Sequence, residues 1–219
     1  MRPSGKSVEF MSGLTHCVGA TLAAVGLIVL IFRAIDPLKP WHLLSFVIFG
    51  LGMVGLYLAS TLYHWVPYGP TRTRRLRTFD HIMIFVLIAA SYTPICLVPL
   101  RGGWGWSLFG SVWAIALAGA ITKLFWLNAP RWLSTALYIF MGWLVVVGVV
   151  PLVRNLETGA LLWLMAGGLS YTVGGVIYAI KRPNPWPNNF GFHEIFHCFV
   201  LAGTLCHFWV MFAYIARLP

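Results

Sequence analysis

His193-Glu194-Ile195-Phe196-His197, followed without a break by CFVLAGTLCHFWVMFAYI at 198–215, is the stretch on which the reading of this chain turns. The eighteen residues from Cys198 to Ile215 contain no Asp, Glu, Lys or Arg, and such a run is what a hydrocarbon core of about 30 Å asks of a helix. Its opening places two imidazoles four residues apart, one turn from each other on one helix face. The opening also matches H-E-x-x-H, in which a glutamate serves a zinc-bound water as general base. The rest of the chain decides what kind of site can exist at the end of a membrane helix.

The chain as a whole has the same character. It is 59% hydrophobic and 9% charged, with a mean hydropathy of +0.82, against about 25% charged residues in an average soluble domain. That deficit excludes a water-exposed globule and requires a polytopic membrane protein. A net charge of +10 does not indicate nucleic acid, because the basic residues sit between apolar runs, where topology accounts for them. Cys17, Cys96, Cys198 and Cys206 lie inside apolar segments without C-x-x-C spacing and read as small buried hydrophobes. The first apolar run is long enough to span and carries no cleavage signal, so no removable leader is expected.

Seven apolar segments follow, at approximately 11–32, 42–65, 80–100, 105–127, 132–152, 159–180 and 194–216. The expected fold is an all-α seven-transmembrane-helix bundle, a single domain over 1–219. With the N-terminus inside, the inner loops hold ten basic residues: Arg2, Lys6, Arg72, Arg74, Arg75, Arg77, Lys123, Arg131, Lys181 and Arg182. The outer side holds five: Arg33, Lys39, Arg101, Arg154 and Arg217. The bias predicts a cytoplasmic N-terminus and an outside C-terminus. Arg72 to Arg77 read as topogenic charge in a loop, with anionic headgroups as the alternative use. Gly50, Gly52, Gly55, Gly167, Gly168, Gly174 and Gly175 read as packing positions, and Pro94 predicts a kink.

Ionisable groups at membrane depth are costly and functional by default. Ser60 and His64 share a face at the end of the second segment, Asp80-His81 opens the third, and His193 and His197 open the seventh. The predicted topology brings all of these to one depth. Neutral imidazoles from His64, His193 and His197 would hold Zn²⁺ and leave a fourth position open, the pattern of catalytic zinc. Asp80 would orient a ligand or take a proton from the activated water, and Ser60 would hydrogen-bond the water or a substrate carbonyl. His207 lies fourteen residues beyond His193, about 21 Å along a helix, too far to share that ion. His16 and His81 are secondary candidates, and His42 is expected at the outer interface. For Glu194 the alternative to a catalytic base is a first-turn carboxylate favoured by the helix N-terminus.

Ala59-Ser60-Thr61-Leu62-Tyr63-His64, Phe79-Asp80-His81, Ser91-Tyr92-Thr93-Pro94 and Phe192-His193-Glu194-Ile195-Phe196-His197 together resemble the hemolysin III family of bacterial membrane proteins. Thr15-His16 and Met141-Gly142-Trp143 extend the similarity over essentially the whole chain. That family is grouped with the adiponectin and progestin receptors and the alkaline ceramidases. The resemblance implies seven helices, residence in the bacterial cytoplasmic (inner) membrane, and zinc on His64, His193 and His197. Ser60 and Asp80 would match the group's serine and aspartate, and Glu194 its variable interior. The activity expected is hydrolysis of a lipid amide or ester, with a membrane lipid as the partner. The alternative is a non-catalytic sensor or regulator of lipid homeostasis or membrane fluidity with a structural zinc. A cytolytic pore lacks support, since no amphipathic inserting segment or ring of channel charge is present.

Overall fold

The computed structural model describes residues 6–66, 69–187 and 189–219; Arg2, counted above with the inner charges, lies outside them, as does the side chain of Lys6. Among the described residues eight α-helices follow one another: α1 Lys6–Ile35, α2 Pro40–Trp65, α3 Pro70–Leu97, α4 Gly103–Phe125, α5 Arg131–Trp143, α6 Val149–Asn155, α7 Thr158–Ile180 and α8 Phe192–Ala213. A 3₁₀ turn at Leu144–Gly148 joins α5 to α6, and another at Ile215–Arg217 follows α8. Among the described residues there is no strand beyond isolated bridges. Seven spans result, because α5, its 3₁₀ turn and α6 form one unit, Arg131–Asn155. Each span of 23 to 28 residues rises about 35–42 Å at 1.5 Å per residue, enough to cross the bilayer with some tilt.

Local chemistry sets the boundaries. Pro40 and Pro70 open α2 and α3, where a missing N–H costs nothing and the fixed φ suits the first turn. In consequence α3 starts ten residues before the expected segment, and Arg72 to Arg77 lie on its first turns rather than in a loop. Pro94 sits inside α3, three residues from its end, and the helix stops at Leu97.

The helices close a ring: α1 packs on α2 and α8, α2 on α3, α3 on α4 and α5, and α5 on α7, which returns to α8. In α3, 67% of the apolar window is buried within the protein, against 22% in α4, 17% in α5–α6 and 22% in α7. The third helix is therefore the central one, and α4 to α7 give most of their surface to lipid. A Cβ on Gly52 would stand 2.7 Å from that of Ala90, and one on Gly174 would stand 2.7 Å from that of Phe199, so both glycines set close helix approaches. Gly168 is different. A Cβ there meets nothing within 4 Å, and its place is explained below by a cavity rather than by packing.

His42, in the first turn of α2, is buried against the end of the chain. It is 3% exposed, and its Nε2 donates to the Ile215 carbonyl at 3.1 Å. Lys39 Nζ donates to the Ala216 and Leu218 carbonyls at 3.2 and 2.6 Å. Both contacts tie the start of α2 to the 3₁₀ turn and the chain beyond α8.

Candidate metal centre

Antiparallel crossing places the start of α1, the end of α2, the start of α3, the end of α4, the start of α5, the end of α7 and the start of α8 at one end of the bundle. This proximal end gathers the residues singled out in the sequence. His64 lies in the last turn of α2, and His193 and His197 occupy the first two turns of α8. The ring centroids lie 4.4 Å apart for His193 and His197, 5.1 Å for His64 and His193, and 5.5 Å for His64 and His197. One nitrogen from each ring lies within 4.8 Å of the others, and among the described residues no other three His, Cys, Asp or Glu meet this condition. Three histidines close together can hold a metal ion.

The partners of these rings decide which nitrogens face inward. His64 Nδ1 lies 3.1 Å from Glu9 Oε2, so it carries the proton and leaves Nε2 bare. His197 Nδ1 lies 3.1 Å from Thr15 Oγ1, whose own proton goes to the Ser12 carbonyl at 2.9 Å. Thr15 must therefore accept from His197, leaving that Nε2 bare as well. His193 Nε2 stands 3.1 Å from His64 Nε2. Tetrahedral zinc with bonds of about 2.0–2.1 Å to nitrogen separates its ligand atoms by roughly 3.3 Å, so this spacing fits an ion between the rings. Carboxylate and hydroxyl partners of this kind orient metal-bound imidazoles and raise their basicity.

Glu194 has another employment. It is 1% exposed, takes the Gly191 N–H at 2.8 Å and accepts a hydrogen bond from Ser12 Oγ on α1. It is the N3 carboxylate of a helix start and ties α8 to α1. This is the first-turn role expected of it, with a cross-link added. His16 stacks on His197, centroids 3.6 Å apart and planes 12° from parallel, and covers one flank of the cluster.

Ser60 and Asp80 lie outside the three-nitrogen group but line the same cavity, a space of about 880 Å³. Ser60 is 1% exposed and sits one turn deeper than His64. Asp80 Oδ2 lies 3.4 Å from His81 Nδ1, and that nitrogen also donates to the Arg77 carbonyl at 2.9 Å. From the cluster the cavity continues past Ile84, Ile88 and Tyr92 to Gly168 and His207. His207 thus belongs to the far end of the same space, about 21 Å from His193 along α8.

Helix α1 supplies Glu9, Ser12 and Thr15, whose contacts sequence reasoning missed, beside the His16 it had singled out. The four fall at three- and four-residue spacing, a polar face on an otherwise apolar helix, and Glu9 is one of only five acidic residues in the chain. That scarcity was a usable signal.

The haemolysin-III-related family profile matches residues 5–208. The chain is 37% identical over 211 residues to the hemolysin-3 homolog of Bacillus subtilis, covering 96% of both chains. It is 36% identical over 207 residues to hemolysin-3 of Bacillus cereus, covering 94% of this chain and 91% of the other. The human monocyte to macrophage differentiation factor is 28% identical over 190 residues, 82% of this chain and 74% of that one, which extends the relationship into the wider receptor group. A seven-span helical chain with this end-to-end match is a multi-pass protein of the cytoplasmic membrane in bacteria, and it belongs to the haemolysin-III-related family.

Proposed function

We propose that this protein is a zinc-dependent hydrolase of a lipid amide or ester bond, working at the cytoplasmic side of the membrane. The observation that carries the reading is the inward-facing set of ring nitrogens, with the Nε2 atoms of His64 and His193 3.1 Å apart, opening on an 880 Å³ cavity that also holds Ser60 and Asp80. With His64 Nε2 bare, the 3.1 Å approach of His193 Nε2 holds either a proton donated by His193 or a cation between the rings, and the third nitrogen favours the cation. Bound there, zinc supplies Lewis acidity to a carbonyl oxygen and brings the pKa of a water toward neutrality.

The protein's own groups would do the rest. Asp80, held beside His81, accepts the proton that the attacking water loses and returns it to the departing nitrogen or oxygen, the usual exchange of base and acid roles. Ser60 Oγ–H donates to the oxygen on which negative charge develops. The products are a carboxylic acid and the amine or alcohol, with one water consumed. The apolar walls around Ile84 and Ile88 receive the acyl chain and limit access of bulk water.

A second reading has its own observation. Glu9, Ser12 and Thr15 on α1 bond to residues of α2 and α8 that form or flank the cluster, so a bound metal could serve to lock three helices in a sensor or regulator. The two readings differ in what metal removal does, since a structural metal is coupled to folding. Purified protein is presented with ceramide and phospholipid panels, before and after chelation, and as His197→Ala. Turnover that is lost in both cases with helicity retained is expected. Turnover indifferent to chelation and to His197→Ala refutes the hydrolase, and loss of fold on chelation favours the lock.

A further inference from the structure

Lys123 lies in the last turn of α4, where a lysine at a membrane surface would extend its stem toward water. It does the opposite. Its residue is 3% exposed, and Nζ donates at 2.6 Å to Ser134 Oγ on α5, a residue itself 6% exposed. Among the described residues no carboxylate lies within ion-pair distance of it. An uncompensated ammonium turned into the protein within a span is expensive and calls for a partner. The three carboxylates that line the cavity do not provide one: Glu9 is committed to His64, Glu194 to Ser12 and Gly191, and Asp80 to His81.

Arg74, Arg77 and Arg131 line the same proximal mouth, and the contacts of two of them are defined. Among the described residues the Arg77 guanidinium reaches only the neutral Asn128 Oδ1, at 3.5 Å. Arg131 lies over the rings of Tyr178 and Phe192, 4.6 and 5.4 Å from their centroids, and donates to the Tyr178 carbonyl at 3.3 Å. That stacking holds its guanidinium plane while leaving other N–H donors unused. Three cations with neutral partners, and a hydroxyl at the buried one, form a site for a compact multivalent anion. Its depth is specific. Arg77 precedes Asp80 by three residues on α3, about 4.5 Å of rise, so an anion there lies one short linker outside the carbonyl position of the proposed reaction.

We propose that Lys123, Ser134, Arg77 and Arg131 bind a phosphate group, and that this phosphate is the headgroup of an acyl lipid whose chain occupies the cavity toward Gly168 and His207. The proposal rests on the hydrolase reading for the position of the carbonyl, but the anion site stands on Lys123 and its surroundings alone. The phosphate sits at the mouth, a three-carbon backbone spans the turn to Asp80, and the acyl chain runs inward along α3.

The test uses the purified full chain in non-ionic detergent and a non-hydrolysable pair: ether-linked lysophosphatidic acid and the ether-linked glycerol of the same chain length. Calorimetric titration is expected to show the phosphate-bearing lipid at least tenfold tighter. Lys123→Met is expected to shrink that ratio to threefold or less. Arg77→Gln, whose side chain lies nearer the surface, is expected to reduce it about threefold and serves if Lys123→Met fails to fold. Equal binding of the two lipids by the wild type overturns the headgroup site. Displacement by inorganic phosphate at concentrations similar to the lipid overturns the lipid assignment and makes the anion a free one. The hydrolase is scored separately, as chelator-sensitive release of fatty acid from the ester-linked pair. Turnover without headgroup preference sinks only this proposal, and preference without turnover sinks only the hydrolase.

Discussion

Glu9→Gln isolates the contribution of a residue that touches no substrate. The carboxylate accepts from His64 Nδ1 at 3.1 Å and its side chain is 25% exposed. Hydrogen bonds to charged groups contribute about 1.5–3 kcal/mol, and partial exposure argues for the lower end because water screens what remains. Glutamine keeps an acceptor but loses the charge, so the expected loss is about 1.5 kcal/mol, roughly tenfold in zinc affinity. That is the low end of the 10–100-fold range typical of outer-shell partners. Thr15→Val removes a neutral bond to His197 and is expected to cost about 1 kcal/mol, roughly fivefold. The two act on different ligands, so the double variant should approach 50-fold. Zinc competition against a chromophoric chelator, with protein in detergent, measures all three. If Glu9→Gln stays within twofold of wild type while His64→Ala loses the metal, then Glu9 does not orient a ligand and the tautomer argument falls.

Four further outcomes follow from the contacts. Ser12→Ala leaves a Glu194 oxygen buried without its donor and should lower unfolding free energy by about 1–3 kcal/mol, read as a drop in Tm in detergent. Thr204→Val strips the shared partner of Tyr57 and Tyr171, whose hydroxyls lie 2.7 and 2.8 Å from Thr204 Oγ1. Interhelical bonds in membranes average about 0.6 and reach about 1.7 kcal/mol, so a loss of about 1–2 kcal/mol in denaturant titration is expected. Gly168→Leu projects into open cavity and should shift preference to acyl chains a few carbons shorter without lowering Tm; unchanged chain-length preference contradicts the acyl path. Gly105→Ala presses a methyl on the Cys96 and Leu100 carbonyl oxygens and should destabilise the α3–α4 turn by about 1–3 kcal/mol, the usual overpacking range.

The seven spans and the histidine cluster were legible because each rests on a strong local signal. Apolar runs report the bilayer directly, and a pair of imidazoles at i and i+4 in a membrane helix has few neutral explanations. The start of α3 was not legible from hydropathy, because Arg72 to Arg77 are polar and helical together; Pro70 marked the boundary instead. The split of the fifth span into α5, a 3₁₀ turn and α6 had a trace in Gly148 and Pro151, since proline removes the N–H that the Val147 carbonyl would accept in a continuous α-helix, but the apolar run around them hid it from a hydropathy reading. Gly168 could not be told from Gly167 by sequence: a Cβ on Gly167 would collide with the His207 ring, whereas one on Gly168 meets only space. Lys123 counted equally well as a topogenic charge, since a side chain that turns inward is visible only once Ser134 is placed beside it.

The dependence of the histidine cluster on α1, α2 and α8 carries a consequence for assembly. Glu9 and His64 emerge early in synthesis, but His193 and His197 follow 129 and 133 residues after His64, roughly 7–27 s later at 5–20 residues per second. During that interval neither half of the cluster can hold an ion with full strength, and Ser12 has no Glu194 to meet. On the proposed zinc reading, the closing of the ring by its last helix and the capture of metal would therefore be one event. A chain truncated before α8 would insert six spans and remain without metal, and occupancy by zinc would report that the bundle had been completed.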